Sequence, residues 1–215
     1  KHTTAPDFYN GAQDGESEED FASRCAADLE TLILEEGPET VGALFAEPVM
    51  GAGGVIIPPR TYFEKIRAVL EKYDVLLVAD EVICGFGRTG NMWGSQTMDV
   101  RPDILTCAKA LSSAYLPISA VMMSDKVYAP LADQAEALGI FGHGFTYSAH
   151  PVCAAINGAC PRFATCGQQR GCTYCCSCCS CRFMASMVMT SAPMAMLCQL
   201  TAPTASAKMA TKEEA

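Results

Sequence analysis

Two ionisable side chains stand where short apolar runs of this sequence end. Asp80 follows the run 75–79 (VLLVA), and Lys109 follows the run 104–108 (ILTCA). A short continuous apolar run is typical of a strand that is buried on both faces of a sheet. Parallel strands end at one edge, where ligands of open α/β sheets bind. We therefore expect the acid and the amine to converge on one crevice.

This pair of groups fits the chemistry of pyridoxal phosphate. That cofactor requires an acid that keeps its pyridine nitrogen protonated and a lysine that binds its aldehyde. Small or apolar residues surround Lys109, and the burial that they suggest would favour the neutral, nucleophilic amine. Each residue alone also has a simpler interpretation. Lys109 could be a lysine that reaches into water at a strand end, and Asp80 could be a solvated acid at the rim of the sheet. Local context favours the simpler interpretation, whereas the two residues together favour the cofactor.

The surrounding segments predict the scaffold that positions these residues. Residues 41–80 are predicted to form a strand, a helix and a strand, a βαβ unit with parallel strands. Ser17 and Thr61 are each followed three residues later by an acid, which predicts two helices that begin with capping boxes. Further strands and a helix are expected at Ile104–Ala108, Ile118–Met123 and Asp125–Leu138. The predicted fold class is α/β, a mostly parallel sheet flanked by helices.

Composition narrows the possible partners and location. The 215 residues carry a net charge of −9, which argues against binding to a nucleic-acid backbone. Half of the residues are hydrophobic, so the chain can bury a core. No basic segment followed by an apolar stretch is visible at the start, so no signal peptide is expected. We predict a cytoplasmic location and no membrane partner.

Four separated motifs resemble one known family. FAEPVMGAGGVIIPP, VADEVICGFGRTG, PDILTCAKALSSAYLPISAV and GHGFTYSAHP occur in the order seen in class III pyridoxal-phosphate aminotransferases. The resemblance covers about residues 2–155 and is closest to the branch of ω-amino acid and amine:pyruvate transaminases. It implies part of the large domain of fold-type I enzymes and a homodimer with shared sites. It also implies a transamination between an amine or ω-amino acid and a keto acid such as pyruvate.

The resemblance assigns four residues to the cofactor. Asp80 would pair with the pyridine nitrogen, and Val82 would pack on one face of the ring. Lys109 would hold the aldehyde and then move a proton from the substrate carbon. Thr146 would contact the cofactor phosphate of the neighbouring subunit, and no metal is implied.

Other positions bear on the substrate and on departures from the family. Glu47 would be an acid near the substrate, and Ala52 stands where some members carry a glutamate that pairs with a substrate-binding arginine. An alanine there favours the branch that takes terminal amines. Ala110, Ala114 and Ala149 replace glycines of the usual pattern, and these small changes are expected to be tolerated.

Two parts of the family pattern are not recognised in this sequence. One is the Gly-Ser/Thr phosphate cradle with its stacking aromatic residue, and the other is the C-terminal domain with its substrate-binding arginine. We therefore expect this chain by itself to bind the cofactor poorly and to turn over little.

The pattern changes near residue 156, which predicts a partial cofactor-binding domain over 1–156 and a separate tail over 157–215. Nine of the 13 cysteines lie after residue 158, several of them at C-x-x-C spacing, which permits a zinc or iron–sulfur site. The tail has no histidine and no second pair at zinc-finger spacing, so disorder or translation in a shifted frame is favoured. Phe183–Leu200 is uncharged but is diluted by polar residues and Pro193, so it is not predicted to span a membrane.

Three functional hypotheses follow from these patterns. The first is a class III aminotransferase, and the second is another pyridoxal-phosphate enzyme of the same fold, such as an aminomutase. The third, from a different class, is a metal-binding or redox-responsive protein that uses the cysteine tail.

Overall fold

A four-stranded sheet forms the centre of the protein. The computed structural model describes residues 1–144, 146 and 150–159, the last four by backbone alone. The strands are β1 (Ala43–Ala46), β2 (Leu76–Asp80), β3 (Ile104–Cys107) and β4 (Ala120–Met123). Their order in the sheet is β1-β2-β3-β4. The helices are α1 (Phe8–Gly11), α2 (Glu18–Glu36), α3 (Tyr62–Lys72), α4 (Gly94–Thr97), α5 (Asp125–Leu138) and α6 (Pro151–Ala159).

The predicted βαβ unit is confirmed. Strand β1 leads through α3 into β2, and the two strands pair in parallel with Ala46 opposite Ala79. Strand β3 also pairs in parallel with β2, and its residue Thr106 lies opposite Asp80. Strand β4 is antiparallel to β3, so the sheet is mostly parallel with one reversed strand. The α/β fold predicted from the sequence is therefore present.

Helix α2 begins at the predicted position. The Ser17 hydroxyl accepts a hydrogen bond from the Asp20 backbone N–H (3.1 Å), which satisfies one of the free donors of the first turn. The helix ends at Gly37, whose φ of +88° lies in the region that favours glycine. One face of α2 is buried against α3, and its apolar members are Phe21, Ala22, Cys25, Ala26, Leu29 and Ile33.

The capping box predicted at Thr61 is wrong. Thr61 precedes α3 with a helical backbone (φ −92°, ψ 0°), and its side chain makes no capping hydrogen bond. Lys65, which forms an ion pair with Glu19 of α2, and then the Thr61 hydroxyl lower the pKa of Glu19, so the Thr61 side chain interacts with α2 rather than with the start of its own helix. The packing of one helix against the other thus competes successfully with the local cap.

The two faces of the sheet have different surroundings. On one face, Leu44 and Leu77 pack against α2 and α3, and Leu105 belongs to a second cluster with Phe86 and other buried residues. Since paired residues of neighbouring strands share a face, the opposite face carries Phe45, Val78, Asp80, Ile104 and Thr106. We call this second surface the Asp80 face. Its edge residue Phe45 is 71% exposed.

No helix of the described residues is long and apolar enough to cross a membrane. The predicted tail, including Phe183–Leu200, lies outside the residues that the structure describes.

Candidate active site

The candidate site lies at the carboxyl edge of β2 and β3. Asp80 is the last residue of β2 and is half-buried, and its partner in the register is Thr106 of β3. Strand β3 ends at Cys107, and a short 3₁₀ turn then begins at Lys109. The structure thus places the acid and the start of the lysine loop at the same edge of two adjacent strands. That both side chains face one crevice stays a prediction, since the cavity beside Lys109 is not lined by Asp80.

The orientation of Asp80 is fixed by its own backbone turn. Its Oδ1 accepts a hydrogen bond from the Val82 N–H (3.0 Å), so the carboxylate folds back over the peptide that follows it. Its Oδ2 has no hydrogen-bond partner among the described residues and remains free to accept one. Val82 is half-buried beside it.

Lys109 is exposed, contrary to the burial expected from its small and apolar neighbours in sequence. It lines a cavity of about 270 Å³ together with Ser112, Ala114, Leu116, Pro117 and Ile118. Its ammonium group forms no ion pair within the described part of the chain. The apolar neighbours in sequence turn into the core, where Cys107 and Leu111 are buried, and leave the lysine at the open side.

The backbone around the lysine has an uncommon conformation. Lys109, Ser113 and Ala114 have φ values of +44°, +53° and +67°, in the left-handed region. The turn is held by hydrogen bonds from the N–H groups of Ser112 and Ser113 to the Lys109 carbonyl and from the Ser112 hydroxyl to the Leu116 carbonyl. Ala114 therefore occupies a position that suits glycine, so its replacement of a family glycine has an energetic cost. Ala110 does not have a positive φ.

Sequence reasoning missed the role of Glu81. This side chain is completely buried, and its two oxygens accept hydrogen bonds from the backbone N–H groups of Gly94 (2.8 Å) and Ser95 (2.6 Å). Its own N–H donates to the Thr106 carbonyl (2.8 Å). The signal in the sequence was the second acid of the Asp-Glu pair, but its partners lie more than ten residues away and cannot be read from local spacing.

Glu47 lies in the loop that follows β1. Its Oε2 accepts a hydrogen bond from the Gly51 N–H (2.9 Å). The exposed Ala52 lies in the next turn, in which the Gly51 carbonyl accepts from the Val55 N–H (3.1 Å). Burial raises the pKa of the nearby Cys84 thiol, and the negative charges of Glu81, Glu47 and Asp80 raise it further. The Cys84 thiol donates a hydrogen bond to the Val49 carbonyl (3.2 Å), and this contact holds the loop that contains Glu47 next to the turn that follows Asp80.

Thr146 is exposed. Its expected role concerns a neighbouring subunit, so it stays a prediction. The described cysteines Cys25, Cys84 and Cys107 form no disulfide and are buried, and Cys153 is buried as well. No group of three or more possible metal ligands occurs among the described residues, and the cysteine-rich tail lies outside them.

Comparison with known proteins gives a consistent result. The family model described as "Aminotransferase class-III" matches residues 2–164. The chain is 57% identical over 155 residues to "Gamma aminobutyrate transaminase 3, chloroplastic" of Solanum lycopersicum, which covers 72% of this chain and 30% of that protein. The same identity relates it to "Probable gamma-aminobutyrate transaminase 2, mitochondrial" of Oryza sativa subsp. indica, with 72% and 31% covered.

Solved structures agree with these relatives. A structure titled "Transaminase with L-ala" is 58% identical with a TM-score of 0.71, and the match covers 76% of this chain and 38% of that one. The omega transaminase from Pseudomonas jessenii in complex with PMP is 58% identical with a TM-score of 0.70, and 73% and 34% are covered. The chain therefore spans about a third of the length of the proteins that it matches.

Proposed function

Because the chain belongs to the class-III aminotransferase family, we propose that it forms the central part of a pyridoxal-phosphate enzyme that transfers an amino group between an amine and a keto acid. The observation that carries this proposal is the placement of Asp80 and Lys109 at the carboxyl edge of adjacent parallel strands. The residues 1–156 supply this part, and the separate nature of the tail 157–215 stays a prediction.

The residues at this edge fit the cofactor. Asp80 retains an oxygen that can accept a hydrogen bond from a protonated ring nitrogen, since only Oδ1 is engaged by Val82. Lys109 lines a cavity in which its amine could meet the aldehyde group of the cofactor. An acid that can accept a further hydrogen bond and an amine lie at one edge of the sheet. These are the two kinds of group that hold the cofactor ring at its opposite ends.

The residues have distinct roles in the proposed reaction. When bound, the cofactor supplies an electron-withdrawing ring that stabilises negative charge on the substrate carbon. Asp80 would hold the ring nitrogen in its protonated form, and Val82 would hold the face of the ring. Lys109 would first hold the aldehyde and then accept a proton from the substrate carbon with its freed amine.

The substrates are proposed by class. The relatives are named as gamma-aminobutyrate and omega transaminases, which supports an amine or ω-amino acid as donor and a keto acid such as pyruvate as acceptor. Ala52 in the loop beside Glu47 supports a donor with a terminal amine. Thr146 supports a homodimer in which one subunit contacts the cofactor phosphate of the other.

The cytoplasmic location stays a prediction. The names of the tomato and rice relatives assign those proteins to the chloroplast and the mitochondrion.

Trapping of the cofactor on the lysine tests the proposal. The 215-residue chain is incubated with pyridoxal phosphate and reduced with borohydride, and the modified peptide is identified by mass spectrometry. Because this chain by itself is expected to bind the cofactor poorly, an excess of cofactor is used and reduction traps the bound fraction. We expect the adduct to form mainly on Lys109 and to be abolished by Lys109→Ala, because its amine is the group that holds the aldehyde. Lys126→Ala is the matched control, because Lys126 is engaged with Asp74 on another surface (2.8 Å), and it should leave the adduct intact. An adduct spread evenly over the lysines would contradict the proposal.

A further inference from the structure

Glu81 is a buried acid that the proposed chemistry does not use. Its side chain is 0% exposed, and it forms no ion pair within the described part of the chain. Burial of a carboxylate is costly, and two hydrogen bonds from backbone N–H groups offset only part of that cost. A carboxylate in this place is therefore poorly explained by stability alone.

All four polar groups of Glu81 are engaged with different segments. The carboxylate accepts from Gly94 and Ser95 at the start of α4, and the backbone N–H donates to Thr106 of β3. The backbone carbonyl accepts from the Gly85 N–H (2.9 Å). One residue thus joins the end of β2 to three other segments.

The carboxylate has little room to move. A Cβ added at Gly94 would lie 3.1 Å from Oε2 of Glu81, 2.6 Å from Cβ of Cys84 and 2.9 Å from Cβ of Pro48. Gly85 is equally close packed, since a Cβ there would lie 2.8 Å from the Glu81 carbonyl oxygen. The absence of side chains at these two glycines lets the backbone approach Glu81, and the packing then fixes its position.

Glu81 lies between the two residues proposed to hold the cofactor ring. Its backbone leads directly into the Val82 N–H, which is the donor that orients the Asp80 carboxylate. Asp80 and Val82 are the residues on either side of Glu81. Displacement of Glu81 would therefore move the Val82 N–H away from the Asp80 carboxylate. It would also move the Val82 side chain.

We propose that Glu81 is a positioning residue, which sets the Asp80 carboxylate and Val82 through its hydrogen bonds to Gly94 and Ser95. The expected effect on cofactor affinity rests on the proposed function. The expected effect on the backbone amides of the protein without cofactor does not rest on it and can be measured separately.

Amide hydrogen exchange of the full chain without cofactor tests the positioning. In Glu81→Gln, the amide oxygen can accept from only one N–H, and the NH₂ group faces the other donor. We expect the amides of Val82, Gly94 and Ser95 to exchange about 10 times faster. The reason is that the hydrogen bond from Val82 to Asp80 opens together with those that Glu81 accepts from Gly94 and Ser95. The control Glu136→Gln, at an exposed position of α5, should leave all three amides unchanged. Acceleration at Gly94 and Ser95 without any change at Val82 would overturn the proposal.

A second variant covers the case in which Glu81→Gln does not fold. Glu81→Asp keeps the charge but is one methylene shorter, so its carboxylate cannot reach both N–H groups. The same exchange pattern is expected, and an unchanged Val82 amide would again overturn the proposal.

Cofactor affinity gives a readout that a purely structural role would not produce. Pyridoxal-phosphate affinity is measured for Glu81→Gln, Asp80→Asn and the double variant. If Glu81 acts partly through Asp80, the two losses overlap, so the affinity of the double variant falls by less than the product of the two single losses. Independent losses that multiply would overturn the proposal. If the unsubstituted chain forms no adduct on Lys109, the proposed function fails, and the exchange experiment still decides the role of Glu81.

Discussion

Lys109 combines a proposed chemical role with a left-handed backbone, at φ +44°. Residues with side chains occupy this region at a cost, and such outliers cluster at functional sites. Two more outliers, Ser113 and Ala114, lie in the same loop, and Ala114 lines the cavity of the lysine. Some of the folding free energy is therefore used to hold this loop in its shape.

Replacement of Ala114 by glycine should relieve part of this cost. Glycine reaches φ +67° without a steric penalty, so we expect Ala114→Gly to increase the free energy of unfolding by about 0.5–1 kcal/mol. Ala110→Gly is the matched control, because Ala110 has no positive φ and glycine there only adds freedom to the unfolded chain. Urea denaturation of both variants measures the difference. Equal effects of the two substitutions would show that the conformation of Ala114 carries no strain.

At the scale of elements, β2 and α4 meet at a contact that depends on glycine. Gly94 opens α4 between Cys84, Pro48 and the Glu81 carboxylate, and a methyl group would lie within 2.6 Å of the Cys84 Cβ. The Phe86 and Trp93 rings pack edge to face next to it, with centroids 4.9 Å apart. The loop between β2 and β3 is therefore held as tightly as a core element.

We expect Gly94→Ala to lower the free energy of unfolding by about 1–3 kcal/mol, because its contacts are backbone-near atoms that cannot move aside easily. Gly42→Ala is the control, since nothing lies within 4 Å of a Cβ at Gly42 and its φ is not positive. Urea midpoints of the two variants provide the measurement. A tolerated Gly94→Ala would mean that α4 can shift away from β2.

The first residues of the chain are attached to α2 by a pair of charges. Glu16 accepts two hydrogen bonds from Arg24 (both 2.8 Å), and Arg24 also donates to the Gly11 carbonyl (2.8 Å). These contacts, with the N–H of Gln13, lower the pKa of Glu16 from 4.5 to about 2. A lowered pKa in the folded state stabilises the protein above the unfolded pKa, and this contribution disappears as the pH falls to about 2.

The stability of Glu16→Gln should therefore approach that of the unsubstituted chain as the pH falls from about 4.5 to about 2. At neutral pH the substituted chain should be less stable, because it lacks the charge that Arg24 binds. Urea midpoints measured across this range test the expectation. In an Arg24→Gln background the same substitution should have a much smaller pH dependence, because only the Gln13 N–H still lowers the pKa of Glu16. An undiminished pH dependence would assign it to another group.

Much of the arrangement could be predicted from the sequence, because apolar runs and the acids or amines that end them are local features. The strand that carries Asp80 and the βαβ unit are examples. The direction of β4 could not be predicted, since an apolar run has no direction. The interaction of Thr61 with Glu19, the exposure of Lys109 and the partners of Glu81 depend on packing between distant segments, which local spacing does not record.

At the scale of the whole molecule, the two sides of the sheet differ in their cover. Helices α2 and α3 bury one side. On the Asp80 face Val78 is also buried, whereas Phe45 on the edge strand is 71% exposed. An exposed apolar ring at the edge of a sheet offers a contact to other apolar molecules.

We expect the chain to enhance the fluorescence of an apolar dye such as ANS, and Phe45→Ser to reduce this signal because it removes the large exposed ring on the Asp80 face. Tyr9→Ser is the control, since Tyr9 is 94% exposed on α1 rather than on the sheet. Fluorescence titration at equal protein concentration compares the variants. A signal that Tyr9→Ser lowers as much as Phe45→Ser would place the dye elsewhere.

The reversed pairing of β3 and β4 has a consequence for biosynthesis. Strand β3, the lysine loop and strand β4 follow one another in residues 104–123. Within this stretch β3 pairs directly with β4. On a translating ribosome, this stretch emerges after β1 and β2 and before α5. The walls around the lysine can therefore assemble on the nascent chain as soon as β4 is free of the exit tunnel, without waiting for any later segment.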